Sequence, residues 1–152
     1  MKWSFCAFFL VFIALNGAEI PVNGGTFKAK LNTRGGALTE LQYKGRMLTQ
    51  ARPSLTDRLI ANRQNSGKRE VLMEFFRDLE YKVIANKTVG AKTEIVFQTR
   101  GIAAFNWLRL TKTYRFTKNS TRILIDYRLT NLDTKSHSAG VWTQTFLRYC
   151  GN

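Results

Sequence analysis

The sequence predicts an all-β domain, an antiparallel β-sandwich with at most one short helix. Three observations carry this prediction. Residues 123–129 and 140–148 alternate apolar with polar side chains, the period-two mark of a strand with one buried and one wetted face. Glycine-bearing turns punctuate the chain at residues 32–36, 44–46 and 89–92. Only one stretch, residues 72–79, repeats its apolar residues at helical spacing.

The N-terminus belongs to a separate element. Lys2 supplies a positive start, residues 5–15 are almost unbroken in apolar character, and Asn16-Gly17-Ala18 forms a small-residue exit before Glu19. That is the pattern of a secretory signal peptide over residues 1–18, its apolar core too short to span a bilayer. The expected product is a single exported domain, residues 19–152, secreted or periplasmic, with no membrane span after signal removal. Cleavage also removes Cys6 and leaves Cys150 as the lone thiol. No internal disulfide is then available, so the core and the sheets must hold the fold.

Along the mature chain, residues 26–31 form the first expected strand. It ends at Asn32-Thr33-Arg34-Gly35-Gly36, where paired glycines permit the positive φ of a tight turn. Residues 37–43 resume the alternation, with Leu38 and Met47 as expected core contributors, and Lys44-Gly45-Arg46 turns the chain again. From 52 to 69 the pattern fails. Pro53, Asn62, Asn65, Ser66 and Gly67 read there as a long basic loop. Leu72, Phe75, Phe76 and Leu79 then suggest a short helix, with a buried strand pair as the alternative. The acids Asp57, Glu70, Glu74, Asp78 and Glu80, interleaved with Arg58, Arg69 and Arg77, read as a surface helix laced with ion pairs rather than a paired-carboxylate site. Residues 81–86 and 93–99 make a hairpin about Val89-Gly90-Ala91-Lys92.

The best-specified unit is the hairpin of residues 108–116 and 122–130, folded about Asn119-Ser120. Its expected register pairs Phe116 with Ile123, Tyr114 with Ile125, Lys112 with Tyr127 and Leu110 with Leu129 on the core face. The outer face pairs Arg115 with Leu124, Thr113 with Asp126, Thr111 with Arg128 and Arg109 with Thr130. A one-residue slip would turn the whole apolar row to water, so the register is strongly specified.

Tyr114-Arg115-Phe116, then Ile123-Leu124-Ile125-Asp126-Tyr127-Arg128-Leu129-Thr130-Asn131, then residues 139–147, resemble the galactose mutarotase-like β-sandwich superfamily. Leu31-Asn32-Thr33-Arg34-Gly35-Gly36-Ala37-Leu38-Thr39-Glu40-Leu41 looks like that superfamily's opening hairpin, and the periplasmic domain of bacterial membrane-protein insertases shares both features. The resemblance implies a partial supersandwich that contacts carbohydrate as an accessory part of a glycan-processing protein, with a protein-interaction domain of the insertase type as the alternative. It does not carry over the epimerase residues. Thr143 or Gln144 stands where the family's catalytic His would be, His137 falls in the preceding turn, and no strand with the catalytic carboxylate follows. General acid–base chemistry needs both groups within reach of one substrate. No catalytic residue is therefore expected, and no metal or cofactor.

The functional expectation rests on the strand around Trp142. Trp142, Gln144 and Arg148 share one parity, opposite to Val141 and Leu147. An aromatic ring, an amide and a guanidinium are the groups that meet a sugar's C–H face, its hydroxyls and an acidic substituent. The candidate carbohydrate-binding residues are Trp142, Gln144 and Arg148, with Trp107 as a second platform. Sugar binding requires Trp142 and Gln144 at the floor of a groove; a protein-interaction domain instead shows an apolar patch or an open strand edge. The formal charge of +14 leaves a polyanion as a further partner class. The cations are scattered along the chain, with no phosphate loop, zinc spacing or aromatic RNA-binding signature, so nucleic acid is not expected.

Overall fold

The computed structural model describes residues 17–49, 55–65, 68–74 and 76–145, without the side chains of 55–65, 68–74, 144 and 145. The segment 1–16, Cys150 and Arg148 lie outside the described residues. Among the described residues there are eleven strands and two 3-10 turns: β1 (Glu19–Asn23), β2 (Phe27–Asn32), β3 (Ala37–Tyr43), β4 (Arg46–Met47), β5 (Leu55–Asn65), β6 (Lys68–Glu74), β7 (Lys82–Val89), β8 (Lys92–Arg100), β9 (Leu108–Thr117), β10 (Ile123–Asn131) and β11 (Ala139–Thr145), with the 3-10 turns at Phe76–Asp78 and Ala103–Phe105.

All pairing is antiparallel. One sheet runs β1-β2-β3-β4, the second β10-β9-β8-β7, and a three-stranded sheet runs β11-β5-β6. The first two sheets bury a common core. Phe27, Ala29 and Leu31 alternate inward from β2, and Ile95 and Phe97 from β8. β9 contributes Leu108, Leu110, Tyr114 and Phe116. Phe27 and Phe116 stack across the gap with ring centroids 5.7 Å apart. The Tyr114 hydroxyl donates to the Gly36 carbonyl at 2.8 Å, a buried tie between residues far apart in sequence. Buried polar groups are tolerated when so bonded.

The β9–β10 hairpin takes the expected register at every pair, with Asn119 in the left-handed conformation at its turn. Lys112 is fully buried on the core face, its ammonium 5.1 Å from the centre of the Tyr114 ring and 5.4 Å from that of Tyr127. The ammonium is favoured over electron-rich ring faces, which is how a lysine sits in an apolar row. The β7–β8 hairpin forms about Gly90, and Lys44 and Gly45 make the turn after β3. β1 was not anticipated. Its alternation is weak, and it forms because β2 offers five successive partners, from Glu19↔Asn32 to Asn23↔Lys28.

Two expectations are overturned. Residues 52–69 are not a long loop, since β5 and the start of β6 occupy most of them. β5 is the middle strand of its sheet, paired with β11 on one side and β6 on the other. The ladder to β6 outweighs the poor strand propensity of Asn62, Gln64 and Asn65, which pair with Val71, Arg69 and Lys68, while Leu59, Ile60 and Ala61 are paired on both sides. The helix over 72–79 is likewise replaced. Leu72 pairs with Ala61 inside β6, and only Phe76–Asp78 turns as a 3-10 segment, which sinks Phe76 fully into the core. The acidic cluster therefore lies on strands and a short turn, not a surface helix. Asp57 is in β5, Glu70 and Glu74 are in β6, and Asp78 meets Arg77 at 3.4 Å and Arg34 at 3.9 Å.

Candidate functional site

Of the predicted site residues, Trp142 and Trp107 are described with their side chains, Gln144 by its backbone, and Arg148 lies outside the described residues. Trp142 lies in β11 opposite Arg58 of β5 and is 52 % exposed, while its neighbour Val141 packs against the core. The expected strand parity therefore holds. Gln144 sits opposite Thr56 on the same strand, and its side chain lies outside the described residues.

Trp107 is placed differently. It precedes β9, packs half-buried on the core, and donates its indole N–H to the Ala104 carbonyl at 2.8 Å. His137 stacks on the ring at 3.9 Å with only 8° between the planes. That face of Trp107 is covered and is no open platform for a sugar.

His137 is exposed in the segment after β10, as a solvated turn residue would be, yet its ring has fixed partners there. Its Nε2 lies 2.8 Å from Oδ2 of Asp133, whose Oδ1 accepts the Lys135 N–H at 2.8 Å. Asn131 closes the same turn, accepting the Asp133 N–H at 3.1 Å and donating to the Lys135 carbonyl at 2.6 Å. The hydrogen bond from His137, aided by the Lys135 N–H and nearby positive charge, holds the Asp133 carboxyl below its ordinary range. Sequence reasoning missed this cluster. The i, i+4 spacing of Asp133 and His137 was visible, but the approach of Trp107 from another part of the chain was not.

A second feature is an apolar cleft of about 230 Å³ at one side of the sandwich. Phe27 of β2, Leu41 and Tyr43 of β3, Leu48, and Ile123 of β10 line it, with Ser120 and Thr121 at its rim. It lies where the two main sheets part beside β10. Among the described residues β10 pairs only with β9, so its other edge is open. Along that strand Ile123, Ile125, Tyr127 and Leu129 pack toward the core yet stay only half-buried, and among the described residues no strand pairs beyond them.

The two edges of this sheet differ in kind. β7, at the far side, has a register shift between Val83 and Ala85, and carries Lys82 and Lys87. A bulge and edge lysines are devices by which natural sheets discourage further pairing. β10 keeps a regular register over its whole length, without proline or bulge, and has an apolar inner row. It is the edge competent to pair.

Among the described residues no group of three His, Cys, Asp or Glu side chains could hold a metal ion, and no helix is long and apolar enough to cross a membrane. Comparison of the chain with family models, curated proteins and solved structures finds no match.

Proposed function

We propose that this chain is an exported, non-catalytic binding domain that takes up an extended polypeptide along the open edge of β10. The observation that carries this reading is the contrast between the guarded β7 edge and the regular, unguarded β10 edge. An open edge presents a row of N–H and C=O groups at the strand repeat, and another backbone in extended conformation matches that repeat. Alternate side chains of the added strand would extend the apolar row of Ile123, Ile125, Tyr127 and Leu129, and one end would reach the adjoining cleft. Kinship with the mutarotase-like sandwiches, including the insertase periplasmic domain, belongs to the same proposal. Its support is the Gly35-Gly36 turn into β3 and the β9–β10 hairpin with its Leu129-Thr130-Asn131 end.

The test uses a labelled peptide of alternating Val and Thr, as long as β10. Wild type is expected to capture it and to gain amide protection along β10. Ile125→Lys sets an ammonium in the apolar row and is expected to weaken capture by about tenfold or more. Leu124→Lys, on the outward face, leaves capture unchanged. Both variants are first checked for cooperative melting. Equal capture by wild type and Ile125→Lys sinks the proposal.

Carbohydrate contact is the second reading, favoured by one observation, the half-exposed ring of Trp142 on a strand whose preceding residue, Val141, packs on the core. Trp142→Ala is then expected to remove retention on immobilised glycans without lowering the melting temperature. Unchanged retention excludes this ring as the platform.

A further inference from the structure

Four basic residues that are scattered in sequence are brought onto one face by strand register. On the outer face of the β7–β10 sheet, register sets Lys82 opposite Gln98, Gln98 opposite Thr111, and Thr111 opposite Arg128. In the next row Arg100 lies directly opposite Arg109, which faces Thr130. The outward direction follows from alternation. Arg109 is exposed between buried Leu108 and Leu110, Arg128 is exposed between core-packed Tyr127 and Leu129, and Arg100 has the parity opposite to buried Ile95 and Phe97. Four cations thus frame an amide and a hydroxyl across four strands, a width of about 14 Å at roughly 4.8 Å per strand.

The arrangement has a cost that a purely structural surface would avoid. Side chains directly opposite on neighbouring strands sit about 4.5–5.5 Å apart at Cβ, where like charges repel. Arg100 and Arg109 are such a pair. The acids that could relieve them are committed elsewhere. Glu94 and Asp126, the carboxylates on this face, both engage Arg115, Glu94 at 2.8 Å. Arg109, Arg128 and Lys82 make no ion pair among the described residues. Arg100 donates from Nε to the Asn106 carbonyl at 2.7 Å, which anchors the guanidinium without neutralising it.

We infer that this face binds a linear acidic polysaccharide, with Arg100 and Arg109 at the centre of the contact. Guanidinium groups meet carboxylates through two parallel hydrogen bonds, and set side by side they accept successive acidic groups of a chain. Gln98 donates to the Thr111 hydroxyl at 3.3 Å, and the two leave further donors and acceptors for sugar hydroxyls. No outward position of β7–β10 is aromatic, so the face lacks the platforms on which single-stranded nucleic acid stacks its bases. The site shares Arg128 with β10 but uses the outer face of the sheet and not the strand's backbone edge, so its test is separate from those above.

The experiment measures binding of the full chain to polygalacturonate, with dextran as the neutral control, over a range of salt. Wild type is expected to bind the acidic polymer, to ignore dextran, and to weaken as salt rises. Arg100→Gln with Arg109→Gln should weaken binding by about tenfold or more and flatten the salt dependence, while the melting temperature holds or rises as the repulsion is relieved. A charge-matched control, Lys28→Gln with Arg46→Gln on the other main sheet, should weaken it by less than about threefold. Equal losses in the two double variants overturn the inference, since net charge alone would then explain the binding. Tighter binding to phosphatidylglycerol vesicles or to oligo-dT than to polygalacturonate overturns it as well.

Discussion

Phe97→Ala is expected to lower the free energy of unfolding by about 3–5 kcal/mol, as truncation of a buried aromatic does when the site cannot collapse around the void. Phe97 has no exposed surface. It sits in β8, an inner strand of its sheet, and meets Tyr114 edge to face at 5.9 Å. It also lies under the Gly36 turn, close enough that a Cβ on Gly36 would stand 3.5 Å from its own. Two sheets and a turn therefore close on one ring. Strands tied by ladder bonds cannot move in to fill its space, so most of the cavity should persist. A domain of this size holds about 5–15 kcal/mol in total, so the variant should sit near the limit of folding. Denaturant titration followed by circular dichroism checks this. A loss below about 1 kcal/mol would mean that Phe97 is not in the shared core.

Gly35→Ala should cost about 2–5 kcal/mol, from two causes that a control separates. Gly35 has φ of +73°, and a left-handed backbone costs an L-residue roughly 1–2 kcal/mol. An added Cβ would also stand 2.6 Å from the carbonyl oxygen of Arg77 and 2.9 Å from its Cα, both backbone atoms. That backbone cannot simply swing aside. Gly35 donates its N–H to the Leu79 carbonyl at 2.7 Å, and Phe76 in the same 3-10 turn is fully buried. Overpacking of this sort adds about 1–3 kcal/mol. Gly45 has a similar φ of +79° but open space around it, so Gly45→Ala should show the conformational cost alone, about 1–2 kcal/mol. Equal melting temperatures for the two variants would refute the close approach of the Gly35 turn to the Phe76–Asp78 segment.

Local pattern made much of this legible. Alternation in β9 and β10 is strict enough that a single register keeps Phe116, Tyr114, Lys112 and Leu110 on one face, and the structure has that register throughout. The Gly-Gly, Lys-Gly and Gly-Ala turns were equally plain, because positive φ selects glycine whatever lies around it. Residues 55–74 misled for the converse reason. Their strands are polar and basic, and their apolar residues near 72–79 fall by chance at helical spacing. The candidate sites were less visible still. Trp107 was read as a platform, and only the fold brought His137 against its face.

The sequence by itself determined the all-β class, the β9–β10 register, the faces of its strands and the places where the chain turns. Each follows from period-two alternation or from φ at a single residue, which are properties of neighbours along the chain. Tertiary structure alone decided that β5 would be a middle strand, that β10 would pair with β9 alone among the described residues, and that Arg100 and Arg109 would face one another. Those outcomes depend on which strands pair across long separations. Ladder hydrogen bonds are the same for every side chain, so the pairing partner is chosen by the packing of the whole sandwich and not by the strand's own residues.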